Sequence, residues 1–397
     1  MKLLEFSGDR PDVVNVVIII PEPNPLSTYK KRQEKVYDWM AREGISLVMI
    51  EDCEDRRNPA IRWLSGQPSD ALLFLSVDRR SLLVSWDINM AMLHGEADIM
   101  LPYGEFERQP VNALQTAAER LKIPKGSRIE IPGITSYPRF LNFVEELSDY
   151  DIICREGGIW TELEKSRAIK DESEINIYRK VSALTDELIN LLEKNIRSGK
   201  LKTETDVALF IDCEGRKQGC EGTGFETLAA GPSRSFGIHA FPAYTRETFG
   251  GKGLSILDFG LKYAGYTSDV TLTFVGEPLS KPQEKMVSIT EKAYKLALSM
   301  VKNGIPARNI SLAVDSYFAR YKKTLVHGLG HGIGLQAHEA PYLRSRSDND
   351  WILEPGMIIT LEPGLYDPVH GGCRLENDIL ITESGAEVLT DSRIIRL

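Results

Sequence analysis

A chain of 397 residues, 42% hydrophobic and 26% charged, is long enough for two domains and has the composition of a globular protein with a large core. Its net charge of −9 leaves no excess of Lys and Arg to cluster on phosphate, which argues against nucleic acid as a partner. The most apolar N-terminal run, VVNVVIII at 13–20, is interrupted by Asn15, closed by Pro21 and too short for a bilayer, and it lacks the cationic lead of a signal sequence, so a cytoplasmic protein without membrane partners is expected.

The helix pattern STYKKRQEKVYDWMAREG leads into the apolar strand SLVMI. ALLFLS and SLLVSW, separated by VDRR, predict a hairpin. NALQTAAERLK, SRIEIPG, RFLNFVEEL and YDIIC repeat the helix and strand rhythm, which makes the first part a mixed α/β domain with its own sheet. The polar segment REGGIWTELEKSRAIKDESE, residues 155–174, contains a Gly pair and places the domain boundary near its start. A second domain then opens with the helix EINIYRKVSALTDELINLLEKN, followed by the helix TETDVALFIDCEGRKQG with Thr203 as its N-cap. Beyond residue 222 the pattern turns to short strands and turns, with further helices expected near 281–303 and 307–321.

The chemistry concentrates in these short strands. In SILDFGLKYAGYTSDVTLTFVG, residues 255–276, Asp258 follows an apolar run and Asp269 comes eleven residues later. A hairpin about Tyr263–Ala264–Gly265 brings the two carboxylates toward each other, and a carboxylate on a buried strand needs a partner, which a divalent cation supplies. HGLGHGIGLQAHEA, residues 327–340, packs three of the six histidines among four glycines. His327 and His331 have the i, i+4 spacing of a helical zinc site, but four glycines inside a helix cost about 3–4 kcal/mol at about 0.8–1.0 kcal/mol each. An extended segment, closely approached by other backbone or by a metal, is expected instead. MIITLEPGLY places Glu362 at the end of an apolar strand, and GGCRLENDILIT places Glu376 just before another.

Taken singly, each of these acids suits a strand edge facing water or an Arg. Together, Asp258, Asp269, His331, Glu362 and Glu376 form a ligand set for two divalent ions, because shared carboxylates bridge metals about 3.5–4 Å apart and hold a hydroxide between them. Four carboxylates with one imidazole favour Mn2+, with Co2+, Fe2+ or Zn2+ as alternatives. The five cysteines, at 53, 154, 213, 220 and 373, form no C-x-x-C pair and read as reduced packing residues.

LDFG with SDVT, HGLGHGIGL with HE, LEPGLY and GCRLEND resemble, in order and spacing, the signatures of the pita-bread metallopeptidases, specifically the Xaa-Pro aminopeptidase and Xaa-Pro dipeptidase (prolidase) branch. RWLSGQPSDALLFLS is similar to the creatinase-type N-terminal domain of that branch. The resemblance implies an α/β (α+β) chain, with a mixed-sheet creatinase-like domain over residues 1–157 and a pita-bread catalytic domain over 158–397. It implies that Asp258, Asp269 and Glu376 hold one metal and that Asp269, His331, Glu362 and Glu376 hold the other. By the same resemblance His239, in FETLAAGPSRSFGIHAFP, lines the substrate pocket, His338 stabilises the tetrahedral intermediate, and His327 is a third pocket histidine near the proline side. Arg374, two residues before Glu376, shares its strand face and is expected to orient a ligand carboxylate. His94 and His370 are expected to take no part. Two features depart from the family pattern: Leu272 stands where many relatives carry Arg, and the segment AFPAYTRETF after His239 differs.

The activity implied is metal-dependent hydrolysis of the bond preceding proline at the N-terminus of short peptides. A hydroxide attacks the carbonyl carbon, Glu362 shuttles its proton to the imino nitrogen, and His338 with one metal steadies the oxyanion. A homodimer is implied by the N-terminal domain of relatives. Two alternatives share the fold, a creatinase-like C–N hydrolase without the metal ligands and a non-catalytic binding protein, and the intact set of five ligands weighs against both.

Overall fold

Ser27 starts the first helix by accepting a hydrogen bond from Lys30 N at 3.2 Å, and Gly44, at φ 67°, ends it in the left-handed region that a side chain resists. The computed structural model describes residues 27–397, together with the backbone of strands β1 (Lys2–Glu5) and β2 (Val17–Ile20). The remainder of the apolar run at 13–20, with Pro21, lies outside the described residues. Two units divide the chain, residues 1–166 and 167–397.

The first unit is a mixed sheet with helices. Its helices are α1 (Thr28–Glu43), α2 (Pro59–Ser65), α3 (Ile88–His94), α4 (Pro110–Arg120) and α5 (Tyr137–Glu146), and α6 (Ile159–Ala168) occupies the polar segment in which a boundary was expected. Its further strands are β3 (Leu47–Asp52), β4 (Ala71–Ser76), β5 (Arg80–Ser85), β6 (Ile99–Pro102), β7 (Arg128–Ile131) and β8 (Asp151–Cys154), in the order β1-β2-β6-β5-β4-β3-β7-β8. β4 and β5 form the expected antiparallel hairpin, with Leu73 opposite Leu83. Phe74, Leu82 and Leu101 of the sheet pack against Leu114 and Ala117 of α4 and Phe143 of α5.

The second unit opens with α7 (Glu172–Arg197) and α8 (Glu204–Lys217). Thr203 caps α8 as its position before the apolar pattern predicts, accepting from Asp206 N at 3.1 Å while Asp206 accepts from Thr203 N at 2.9 Å. Then follow β9 (Gly222–Thr223), β10 (Leu228–Ala230), β11 (Gly253–Phe259), β12 (Leu261–Tyr263), β13 (Tyr266–Thr267) and β14 (Val270–Gly276), and the helices α9 (Lys281–Met300) and α10 (Ala307–Ala319). The chain continues through β15 (Gly330–Gly332), β16 (Glu339–Leu343), β17 (Ile358–Leu361), β18 (Gly364–Asp367), β19 (Gly371–Arg374), β20 (Asn377–Thr382), β21 (Gly385–Val388) and β22 (Ile394–Arg396).

Two larger sheets result, β10-β11-β14-β22 and β16-β15-β17-β20-β21. Alternation along β14 sends Leu272 and Phe274 into a core with Leu188 and Leu192 of α7 and Ile211 of α8, while Thr271 and Thr273 bond toward Glu376 and Arg374. A second core packs Ile289 and Ala293 of α9 and Val314 and Phe318 of α10 against Ile359, Leu361 and Ile379. Among the described residues the sheets meet at a single backbone bridge, Thr271 with Glu376, where Glu376 N donates to Thr271 O at 3.1 Å.

Candidate active site

The seam between those sheets gathers the acids. The hairpin predicted about residues 263–265 forms, pairing Tyr263 with Tyr266 across Ala264 at φ 49° and Gly265 at φ 86°. It returns the chain so that Asp258, on β11, lies opposite Thr271, with Asp269 just ahead of β14. His331 sits mid-strand in β15, extended as the glycine cost requires. A Cβ on Gly330 would stand 2.0 Å from Thr360 O, and one on Gly332 would stand 2.0 Å from Ala340 O. Neighbouring backbone therefore closes on both sides of His331 only because those positions are glycine.

Asp258, Asp269, His331, Glu362 and Glu376 all line one cavity of about 280 Å³, with His239 and His338. Asp269, His331 and Glu376 each offer an atom within 4.8 Å of the others'. His331 Nε2 lies 3.8 Å from Asp269 Oδ2 and 3.6 Å from Glu362 Oε1. Its Nδ1 donates to Gly332 O at 3.1 Å, which fixes the tautomer and turns a bare Nε2 lone pair toward the acids.

The electrostatics are those of acids crowded beyond what one neighbouring cation, Arg374, offsets. Burial, then the neighbouring carboxylates, raises Asp269 and Glu362 well above the usual carboxylate range and Glu376 to about 7. Burial lowers His331 to about 3, so its ring is neutral and available as a ligand. Asp258 Oδ1 is buried without a hydrogen-bond partner. Unsatisfied carboxylate oxygen, mutual repulsion among acids and one bare imidazole nitrogen fit hard or borderline divalent ions.

A set of fixed donors surrounds the acids. Arg374 Nη2 donates to Asp258 Oδ2 at 2.5 Å, Nη1 donates to Tyr366 Oη at 2.8 Å, and Nε donates to Thr271 Oγ1 at 2.9 Å. Tyr366 Oη in turn donates to His327 Nε2 at 2.9 Å, and His327 Nδ1 donates to Gly328 O at 2.7 Å, 3.6 Å from Glu362 Oε2. His327 is thus beside Glu362 but is not among the side chains that line the cavity. The His338 ring lies 4.2 Å from that of His331, and burial lowers its pKa. Leu272 belongs to the helix-side core.

Sequence patterns did not single out Tyr366, Thr271, which donates to Glu376 Oε2 at 2.6 Å, or Asp378, whose Oδ2 accepts from Asp269 N at 3.1 Å. All three lie inside or beside the motifs LEPGLY, SDVT and GCRLEND, and the available signal was a polar residue inside an otherwise apolar strand.

A cavity whose acids repel one another until a cation joins them belongs to the metallohydrolases as a class. The pattern that defines metallopeptidase family M24 matches residues 176–383, and the chain belongs to that family: it is a metal-dependent peptidase. The Xaa-Pro dipeptidase of Pyrococcus horikoshii is 30% identical over 363 residues, 91% of this chain and 97% of its own. The structure of the X-Pro aminopeptidase from Thermotoga maritima is similar with a TM-score of 0.80 at 25% identity, covering 92% of this chain and 99% of that one. That of the Xaa-Pro dipeptidase from Bacillus anthracis is similar with a TM-score of 0.80 at 25% identity, covering 93% and 100%. The paired sheets with flanking helices are the pita-bread arrangement of these neighbours.

Proposed function

We propose that the chain hydrolyses the bond before proline at the N-terminus of short peptides, as an Xaa-Pro dipeptidase or Xaa-Pro aminopeptidase. The observation that carries this reading is one cavity that brings together Asp258, Asp269, Glu362 and Glu376, a bare imidazole nitrogen and two further histidines, in a chain whose full-length relatives bear those names. In this reading Asp258, Asp269 and Glu376 hold one divalent ion, and Asp269, His331, Glu362 and Glu376 hold a second. Manganese is favoured by the oxygen-rich donor set, with cobalt, iron or zinc able to substitute.

Bound there, such ions supply Lewis acidity toward the substrate carbonyl and toward water. The chain's own groups manage protons and position. Glu362, whose carboxylate lines the cavity, takes a proton from the attacking water and passes it to the departing imino nitrogen. His338, which burial biases toward neutrality, donates an N–H to the carbonyl oxygen as it gains charge. Arg374 holds Asp258 in the orientation a ligand needs. His239 lines the substrate side, and His327, tied to Tyr366, borders Glu362 toward the proline.

A creatinase-like domain over 1–157 precedes the catalytic domain over 158–397 in this reading, and the protein works as a cytoplasmic homodimer on peptides, with no nucleic-acid or membrane partner. The net charge of −9 weighs against a nucleic-acid partner, and no helix among the described residues is long and apolar enough to cross a membrane. The deciding experiment compares Gly-Pro, Ala-Pro-Ala and Ala-Ala-Ala as substrates for the manganese-loaded and chelated protein. Cleavage of the proline peptides alone, and only with metal, is expected, and their ratio ranks dipeptidase against aminopeptidase. Equal turnover of Ala-Ala-Ala, or turnover of none, overturns the assignment.

A further inference from the structure

We infer that Glu204 is a positioning residue for substrate: one buried carboxylate sets the shape of the segment 231–245, which forms a wall of the cavity. The inference rests on the peptidase reading above for its kinetic consequence, though not for its geometry.

Glu204 is the first residue of α8, and its side chain is fully buried. Its Oε1 accepts from Gly231 N at 2.7 Å. Its Oε2 accepts from Arg234 Nη1, Thr245 N and Thr245 Oγ1, each at 2.7 Å. Arg234 Nη2 donates onward to Pro242 O. Residues 231, 234, 242 and 245 therefore converge on a single ion pair, and every group facing the carboxylate is a donor. Charge-assisted bonds of this kind are the strong ones, and they close the two ends of the segment onto one point.

Between those anchors the chain has no helix or strand of its own, yet His239, Ala240, Phe241 and Ala243 line the cavity. Phe241 is 96% exposed, so packing of its own side chain does not hold the segment in place. Two lighter ties reach it from β19, Gly372 N donating to Ser235 Oγ at 3.1 Å and Arg374 Nη1 donating to Ile238 O at 3.1 Å. The acids of the cavity, by contrast, stand on or beside strands that Glu204 does not touch. Loosening the clamp thus acts first on the substrate wall, while Arg374, which also bonds Ile238 O, keeps its hold on Asp258.

Glu204→Gln tests this, because its amide presents N–H groups where three donors require an acceptor. With Ala-Pro-Ala or Gly-Pro as substrate, KM should rise about tenfold or more while kcat changes less than about threefold, at unchanged metal content. Thr245→Val, which keeps the carboxylate, should shift KM in the same direction by a smaller factor, and it decides the matter if Glu204→Gln does not fold. Tryptic cleavage after Arg234 should quicken in Glu204→Gln, a readout independent of activity. An unchanged KM, with activity falling only in proportion to folded protein, overturns the inference, as does an unchanged cleavage rate. If the wild type cleaves neither peptide, the peptidase reading fails and the tryptic comparison alone decides whether the clamp exists.

Discussion

Arg374 is buried and places Nη2 2.5 Å from Asp258 Oδ2, so one of the cavity's acids is held by a fixed cation while its other oxygen, Oδ1, has no partner. The guanidinium occupies one Asp258 oxygen and leaves the other, buried one for a cation. Arg374→Gln should therefore weaken metal affinity and cost stability of about 3–5 kcal/mol in the metal-free protein, the usual result of breaking one side of a buried pair. Calorimetric metal titration and a denaturant curve check both. Unaltered metal affinity would show that Asp258 needs no support from Arg374.

His338→Ala and His331→Ala separate chemistry from metal binding. His338 is assigned as a donor to the reacting oxygen, so its loss should lower kcat about 10²–10³-fold and leave metal content intact. His331 presents its bare Nε2 to Asp269 and Glu362, and its loss should reduce the affinity for one ion. Elemental analysis of the two variants reads the difference, and the opposite pattern reverses the assignment.

Saturation at two divalent ions per chain is expected, and chelation should abolish activity and lower Tm. A ligand present at 100 times its Kd stabilises by about 2.7 kcal/mol, enough for a clear shift. Stoichiometry that stays at one contradicts the shared-carboxylate arrangement.

Two glycines in one motif should behave differently. A Cβ on Gly332 meets Ala340 O at 2.0 Å, whereas one on Gly328 meets nothing closer than 3.5 Å. Gly332→Ala should displace the strand that carries His331, at a cost of about 1–3 kcal/mol or more and with impaired metal binding, while Gly328→Ala stays near wild type. Equal effects would mean that the close backbone approach at Gly332 is not what the motif protects.

Glu339 gives a test with a sign in pH. Its carboxylate is buried between Arg167 and Lys170, with Lys170 Nζ at 3.0 Å, and the two cations outweigh the burial that would raise it, so its pKa is lowered. A depressed carboxylate contributes stability that is full above its unfolded value and lost as pH falls through the folded one. Glu339→Gln should thus be less stable than wild type by about 3–5 kcal/mol at neutral pH, with the gap narrowing below about pH 4.3. Denaturation midpoints from pH 7 to pH 3 measure it, and a constant gap contradicts the ion-pair account.

What the sequence discloses here is what neighbouring residues decide. Ser27, Thr203 and Gly44 mark helix ends through bonds within a turn, and β4 and β5 meet across three residues. The extended state of His331 followed from counting glycines against helix cost. The acids were visible because each stands beside an apolar run. Tyr366, Thr271 and Glu204 were not, since each gains its meaning from partners far away: Thr271 bonds a residue 105 positions on, and Glu204 gathers groups 27 to 41 positions away. Nor does a motif disclose register. β15 and β16 shift between His331 and Gly332, and His327, four residues before His331, falls beside the cavity rather than on its wall.

The single bridge from Thr271 to Glu376 bears on the order in which the molecule assembles. Strands β10, β11 and β14 and the sheet around β15, β17 and β20 pair largely between neighbours in the chain, whereas β22 returns from residues 394–396 to join β14, and the five proposed donors come from both sheets, so a fragment holding one sheet alone lacks the full donor set. Ion capture is then a late event in folding, after the longest loop closures, and it reports completion of the whole second unit rather than of any part. A stopped-flow refolding experiment with metal present from the start should show secondary structure returning at a rate the ion does not change, with ion uptake following as a separate, slower phase.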